Sequence, residues 1–118
     1  MQRRLSTILA ADFVGYSRLM EADEESTVQI LGVCRSLIDK HVHDHHGRIF
    51  GSAGDSVIVE FTSPIEAVRC AVGIQQELDD RNAGLPDDQQ MALRIGINLG
   101  DVIVENENLL GDVYKRQR

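Results

Sequence analysis

Eleven residues, Gly51-Ser52-Ala53-Gly54-Asp55-Ser56-Val57-Ile58-Val59-Glu60-Phe61, constrain this chain more than any other stretch. A tight glycine turn is followed at once by an alternating β pattern, and Arg48-Ile49-Phe50 precedes it, so residues 48–61 predict a β-hairpin with its turn at 51–56. Asp55 rides on that turn. A carboxylate held at the mouth of a sheet is where a metal-bound polyphosphate could reach it, provided a second acid stands nearby.

The N-terminal stretch supplies one. Residues 5–12 are apolar and β-capable and end in Ala11-Asp12-Phe13-Val14-Gly15-Tyr16-Ser17. This reading places Asp12 at the C-terminal end of a buried strand, where ligands gather in open α/β sheets. The backbone N–H groups opening the next helix, Val14 to Ser17, could receive phosphate oxygens. The competing reading is that Asp12 only caps that helix.

From Asp23 the pattern turns helical. Asp23 reads as an N-cap with Glu24 and Glu25 in the first turn. Val28, Leu31, Cys34, Ile38 and Val42 then form a stripe widened by Ile30, Val33 and Leu37, and the helix is expected to stop at Gly47. Its end carries His41, His43, His45 and His46. His41 and His45 are spaced i, i+4, which could hold one metal with Asp44 nearby, but no third ligand has suitable spacing. A solvated helix end is the preferred reading.

Ser63-Pro64-Ile65-Glu66 starts a second helix, with Ser as N-cap, Pro at the first position and Glu three residues after the cap. It is expected to bury Ile65, Val68, Ala71, Val72, Ile74 and Leu78 and to end near Asn82-Ala83-Gly84. Met91 to Leu99 is the clearest strand: Met91, Leu93, Ile95, Ile97 and Leu99 face the core, and Ala92, Arg94, Gly96 and Asn98 face away. Gly100-Asp101 is expected to break it before a further strand at Val102-Ile103-Val104. The order β-α-α-β-β-α-β-β predicts a ferredoxin-like α+β layout.

Composition narrows the function classes. A formal charge of -7 over 118 residues argues against nucleic acid as a partner, although a bound metal would reverse the local sign. An apolar fraction of 42% suffices for one packed domain. No apolar run spans a membrane, and Asp12 cuts short the only segment that resembles a signal peptide. Cys34 and Cys70 fall inside helical patterns and read as reduced core residues, which places the chain in the cytoplasm.

In a ferredoxin-like sheet the first strand and the 48–61 hairpin are neighbours, so Asp12 and Asp55 could converge on one or two divalent cations. Hard oxygen ligands suit Mg²⁺ or Mn²⁺, which bind through one or two carboxylates plus substrate phosphates.

The segments LAADFVGYSRLM (9–20), GRIFGSAGDSVIVEF (47–61), SPIEAVRCAVGIQQEL (63–78) and RIGINLGDVIVENENLLGD (94–112) resemble, in collinear order, the catalytic domain of bacterial class III adenylate and guanylate cyclases. The resemblance implies a homodimer with active sites at its interface. It implies two metal ions on Asp12 and Asp55, with the Phe13 carbonyl as an extra ligand, and a triphosphate held by Phe13, Val14, Gly15, Tyr16 and Ser17. The implied reaction turns ATP, with GTP as the alternative purine substrate, into a 3′,5′-cyclic nucleotide and pyrophosphate.

Three departures from the family pattern follow. Gly51 stands where many members carry a base-reading Lys, and Asn108 where they carry its acidic partner, so neither adenine-selecting charge is present. After Gly111-Asp112 the expected ribose-orienting Asn and transition-state Arg do not follow. Residues 1–111 read as the N-terminal part of a cyclase domain, and 112–118 resemble a translated adapter sequence, a non-native tail. The 118 residues alone are therefore expected to be inactive. The alternative is a non-catalytic nucleotide-binding or dimerisation module, motivated by Gly51 and Asn108.

Overall fold

The hairpin forms where the sequence predicts it. The computed structural model describes residues 2–104. In it β2 (Arg48–Ala53) and β3 (Ser56–Phe61) pair antiparallel around a turn at Gly54-Asp55. Gly54 takes a φ of 56°, a left-handed conformation that glycine adopts without steric penalty. On its other edge β3 pairs with β1 (Gln2–Val14), and β1 pairs with β4 (Ala92–Val104), giving a four-stranded antiparallel sheet of order β2-β3-β1-β4.

Strand periodicity divides that sheet into two faces. Leu9, Ala11, Phe13, Val57, Val59 and Phe61 point into the core, all 3% exposed or less. Two long helices, α2 (Glu24–Asp44) and α3 (Pro64–Ala83), pack over them. The short α1 (Tyr16–Ala22) links β1 to α2, and a 3₁₀ turn at Asp87–Gln89 leads into β4. This is the expected ferredoxin-like α+β architecture.

Both helix starts follow from their caps. The Asp23 carboxylate accepts from the Ser26 N–H at 3.1 Å, and the Ser63 hydroxyl accepts from the Glu66 N–H at 3.3 Å. Each satisfies a first-turn donor that has no partner within the helix. The buried faces differ from expectation. α3 buries Ala67, Cys70, Ile74 and Leu78, whereas Ile65, Val68 and Val72 are exposed by 62%, 51% and 49%. α2 buries Thr27, Cys34, Leu37, Ile38 and Val42 and leaves Val28 and Val33 outside.

Two strand boundaries are also corrected. β1 runs on to Val14, so Asp12 lies within the strand rather than at its end. β4 does not break at Gly100-Asp101, because Ser6 pairs with Gly100 and Leu5 with Asp101 in an unbroken ladder. A long neighbouring strand overrides the weak β propensity of Gly and Asp. Asn108, Gly111 and the 112–118 tail lie outside the described residues.

Cys34 and Cys70 are free thiols, 1% and 0% exposed. Burial pushes Cys34 up and Cys70 up to about 11. Both are core hydrophobes with little thiolate at neutral pH.

α2 and α3 are clamped at the surface by Glu77, whose carboxylate meets His41 Nε2 at 2.8 Å and Lys40 Nζ at 3.2 Å. These two hydrogen bonds, His41's foremost, hold the Glu77 carboxyl below its ordinary value of 4.5. A carboxyl lowered in the folded state stabilises in full above its unfolded pKa, and that contribution fades as pH falls through the folded pKa. Wild type is therefore expected to melt above Glu77→Gln at neutral pH, the two curves converging as pH drops below about 4.5. Thermal melts against pH check this. An advantage that persists unchanged far below that pH would rule the coupling out.

Candidate metal and phosphate site

The site grows from strand register. Across the sheet, Ala53, Ser56, Asp12 and Arg94 form one row and Gly51, Ile58, Ala10 and Gly96 the next, all on the face opposite the helices. A β-bulge in β2 decides this arrangement. The register shifts between Ile49 and Gly51, so Gly51 rather than Phe50 is opposite Ile58. A bulge re-aims the side chains that follow it, and a glycine inside a strand is its usual sequence sign. The displaced Phe50 ring lies under the Arg48 guanidinium, 4.6 Å from its centroid.

Asp12 and Asp55 are drawn together by the backbone. The Phe13 N–H donates to the Asp55 carbonyl at 3.0 Å, which ties the residue after Asp12 to the hairpin turn. The Asp12 carboxylate is 42% exposed and accepts from Arg94 Nε and Nη2 at 3.3 and 3.2 Å, both on Oδ1. Asp12 does not cap α1. That role falls to Gly15, with a φ of 77° and no side-chain cap. Phe13 is buried, Val14 is half exposed and pairs with Ala92, and Tyr16 and Ser17 open α1.

An open cavity of about 280 Å³ lies on this face, lined by Ala10, Asp12, Arg94, Ile95, Gly96 and Asn98. Its floor is small: a Cβ added at Gly96 would meet nothing within 4 Å. Of the two candidate acids, Asp12 lines this cavity; carboxylate and carbonyl oxygens are hard donors of the kind that Mg²⁺ or Mn²⁺ takes together with phosphate and water. Among the described residues no group of three His, Cys, Asp or Glu is assembled for a metal. The His41 and His45 rings stack with centroids 6.3 Å apart, and one nitrogen of each is engaged, His41 Nε2 by Glu77 and His45 Nδ1 by the His41 carbonyl at 2.8 Å.

Known proteins share this arrangement of elements. A solved adenylate/guanylate cyclase/hydrolase from Silicibacter pomeroyi superposes with a TM-score of 0.85 at 39% identity, over 94% of this chain and 65% of that one. In sequence and in fold the chain is thus similar to an adenylate/guanylate cyclase domain. A curated relative, putative adenylate cyclase 3 of Rhizobium meliloti, is 49% identical over 113 residues, 95% of this chain and 19% of that protein. The guanylyl cyclase Cya2 superposes with a TM-score of 0.76 at 30% identity, over 88% of this chain and 58% of that one. No protein-family model matches the sequence. The chain thus spans less than two thirds of the solved relatives and about a fifth of the curated one.

Two charged groups at the site escape sequence reasoning. Arg94 sits on the polar side of a clear strand, but its pairing with Asp12 needs the β1–β4 register. Arg35 lies in α2, 19 residues before the turn whose Gly54 carbonyl it binds at 3.1 Å. No helix among the described residues is long and apolar enough to cross a membrane.

Proposed function

We propose that this chain holds the metal and phosphate groups of a purine nucleotide cyclase that works as a homodimer, converting ATP, or GTP, to the 3′,5′-cyclic nucleotide and pyrophosphate. The observation that carries this reading is the Phe13 N–H to Asp55 carbonyl bond, which ties the strand carrying Asp12 to the turn carrying Asp55. Asp12, Asp55 and the Phe13 carbonyl would hold two Mg²⁺ or Mn²⁺ ions. Once bound, such ions polarise the α-phosphate and favour the ionised ribose 3′-oxygen that attacks it.

The remaining roles fall to the chain itself. The first N–H groups of α1, beyond Gly15 and its missing side-chain cap, would receive the triphosphate oxygens. Arg94 balances Asp12 while no substrate is present. An exposed pair of this kind is worth less than about 1 kcal/mol, so its guanidinium is free to turn toward phosphate oxygens. Gly51 and Asn108 bring no charge to the base, so ATP and GTP are discriminated weakly. The 118 residues alone are proposed to be inactive, since the transition-state asparagine and arginine have no counterpart in them.

The test is to incubate the intact protein that contains this chain with ATP or GTP and Mn²⁺ and to quantify cyclic nucleotide. Turnover of both purines is expected. Tight Mn²⁺-nucleotide binding with no cyclic product would favour the alternative, a non-catalytic nucleotide-binding module, for which the uncharged Gly51 on this face is the supporting observation.

A further inference from the structure

The Asp55 turn is tied to its surroundings at two carbonyls. Phe13 N–H donates to Asp55, and the Arg35 guanidinium reaches down from α2 to Gly54 at 3.1 Å. No side chain packs against that side of the turn: a Cβ at Gly54 would have no heavy atom within 4 Å. A left-handed glycine without packed neighbours leaves the turn braced by its strand pairing and by these two carbonyl bonds, and Asp55 follows any shift of it. We propose that Arg35 is a positioning residue for Asp55, fixing the Gly54–Asp55 peptide so that the carboxylate is aimed at the cation it shares with Asp12.

The chemistry favours this over a surface contact of no consequence. A guanidinium donor makes a charge-assisted bond, stronger than a neutral one, and its planar fork loses little freedom in making it. Arg35 is rooted in a helix whose neighbouring residue Cys34 is 1% exposed, so its backbone does not move with the turn. By binding a carbonyl rather than the Asp55 carboxylate, it orients the metal ligand without competing for it. Groups that orient ligands in this way typically change metal affinity by about 10- to 100-fold when removed, and a partly exposed one belongs at the low end.

The proposal rests on the reading of Asp12 and Asp55 as cation ligands, and the test separates the two. Mn²⁺ binding to the intact protein is measured by electron paramagnetic resonance, without nucleotide, for wild type, Asp55→Asn, Arg35→Met and Arg35→Lys, with a thermal melt of each. Asp55→Asn is expected to abolish binding, and Arg35→Met to weaken it about tenfold with little change in melting temperature. Arg35→Lys, which keeps a cationic donor, should recover most of the loss and remains informative if Arg35→Met fails to fold. Wild-type affinity in Arg35→Met, or in Arg35→Gln measured in its place should Arg35→Met not fold, overturns the positioning role while leaving the metal reading intact. Wild-type affinity in Asp55→Asn overturns both.

Discussion

Asp55→Asn in the intact protein is expected to lower Mn²⁺-dependent cyclic nucleotide formation by at least about 10²- to 10³-fold, with Asp12→Asn close behind. The estimate follows the cost of removing one preorganised electrostatic stabiliser from a site where charge develops. Neither substitution should unfold the domain. Asp55 sits on a turn whose tethers to Phe13 and Arg35 use main-chain carbonyls, which asparagine leaves intact. Asp12 loses one carboxylate contact to Arg94, an exposed pair worth less than about 1 kcal/mol. Melting temperatures within a few degrees of wild type, together with lost turnover, separate a chemical role from a structural one. Turnover that survives Asp55→Asn would sink the proposed two-ion site.

The two variants should differ in one informative respect. Without its carboxylate, position 12 leaves Arg94 unbalanced beside the proposed phosphate site, so Asp12→Asn is expected to keep more nucleotide affinity than turnover. Asp55→Asn leaves the Asp12–Arg94 pair in place and loses both. Nucleotide binding by fluorescence titration, set beside turnover, distinguishes these patterns.

How much of this was legible beforehand depends on whether the cause is local. The hairpin, both N-caps and the core side of β4 from Met91 to Ile97 are written in neighbouring residues and form where local chemistry puts them, whereas Leu99, expected on that core face, is 63% exposed. The neighbourhood of Asp12 and the Asp55 turn was also readable, because the ferredoxin-like sheet order places β1 beside that hairpin. The helix faces were not. In α3 the set Ala67, Cys70, Ile74, Leu78 and the set Ile65, Val68, Val72 both repeat at helical spacing. Hydrophobicity ranks the second set higher, yet the first is buried. Ala67 and Cys70 are small enough to bring the helix close to the sheet, a requirement set by the opposite surface rather than by the helix. The same holds for Arg94 and Arg35, whose partners lie 82 and 19 residues away. The end of α2 shows it again. Gly47 looks like the left-handed terminator, but His46 takes that conformation, with a φ of 61°.

Gly47 serves packing instead, and this yields the largest expected stability effect. A Cβ on residue 47 would lie 2.7 and 2.8 Å from Phe61 Cε1 and Cζ and 3.0 Å from Val42 Cγ1, closer than carbon atoms tolerate. Phe61 is 1% exposed and heads the fully buried side chains, so Phe61→Ala should cost about 3–5 kcal/mol through lost burial and the cavity left behind. That is a large share of the roughly 5–15 kcal/mol by which a small domain is stable. Gly47→Ala should cost about 1–3 kcal/mol by overpacking. The two effects oppose each other in space: the methyl that clashes with the ring partly fills the void once the ring is gone. The double variant should therefore be more stable than the sum of the two costs predicts, by about 1 kcal/mol or more, the coupling expected of residues in direct contact. Urea denaturation of wild type, both single variants and the double variant, compared at matched m values, measures that coupling. Simple additivity would mean that the backbone at residue 47 shifts away from Phe61 when a methyl is added, and that glycine is not required there for packing.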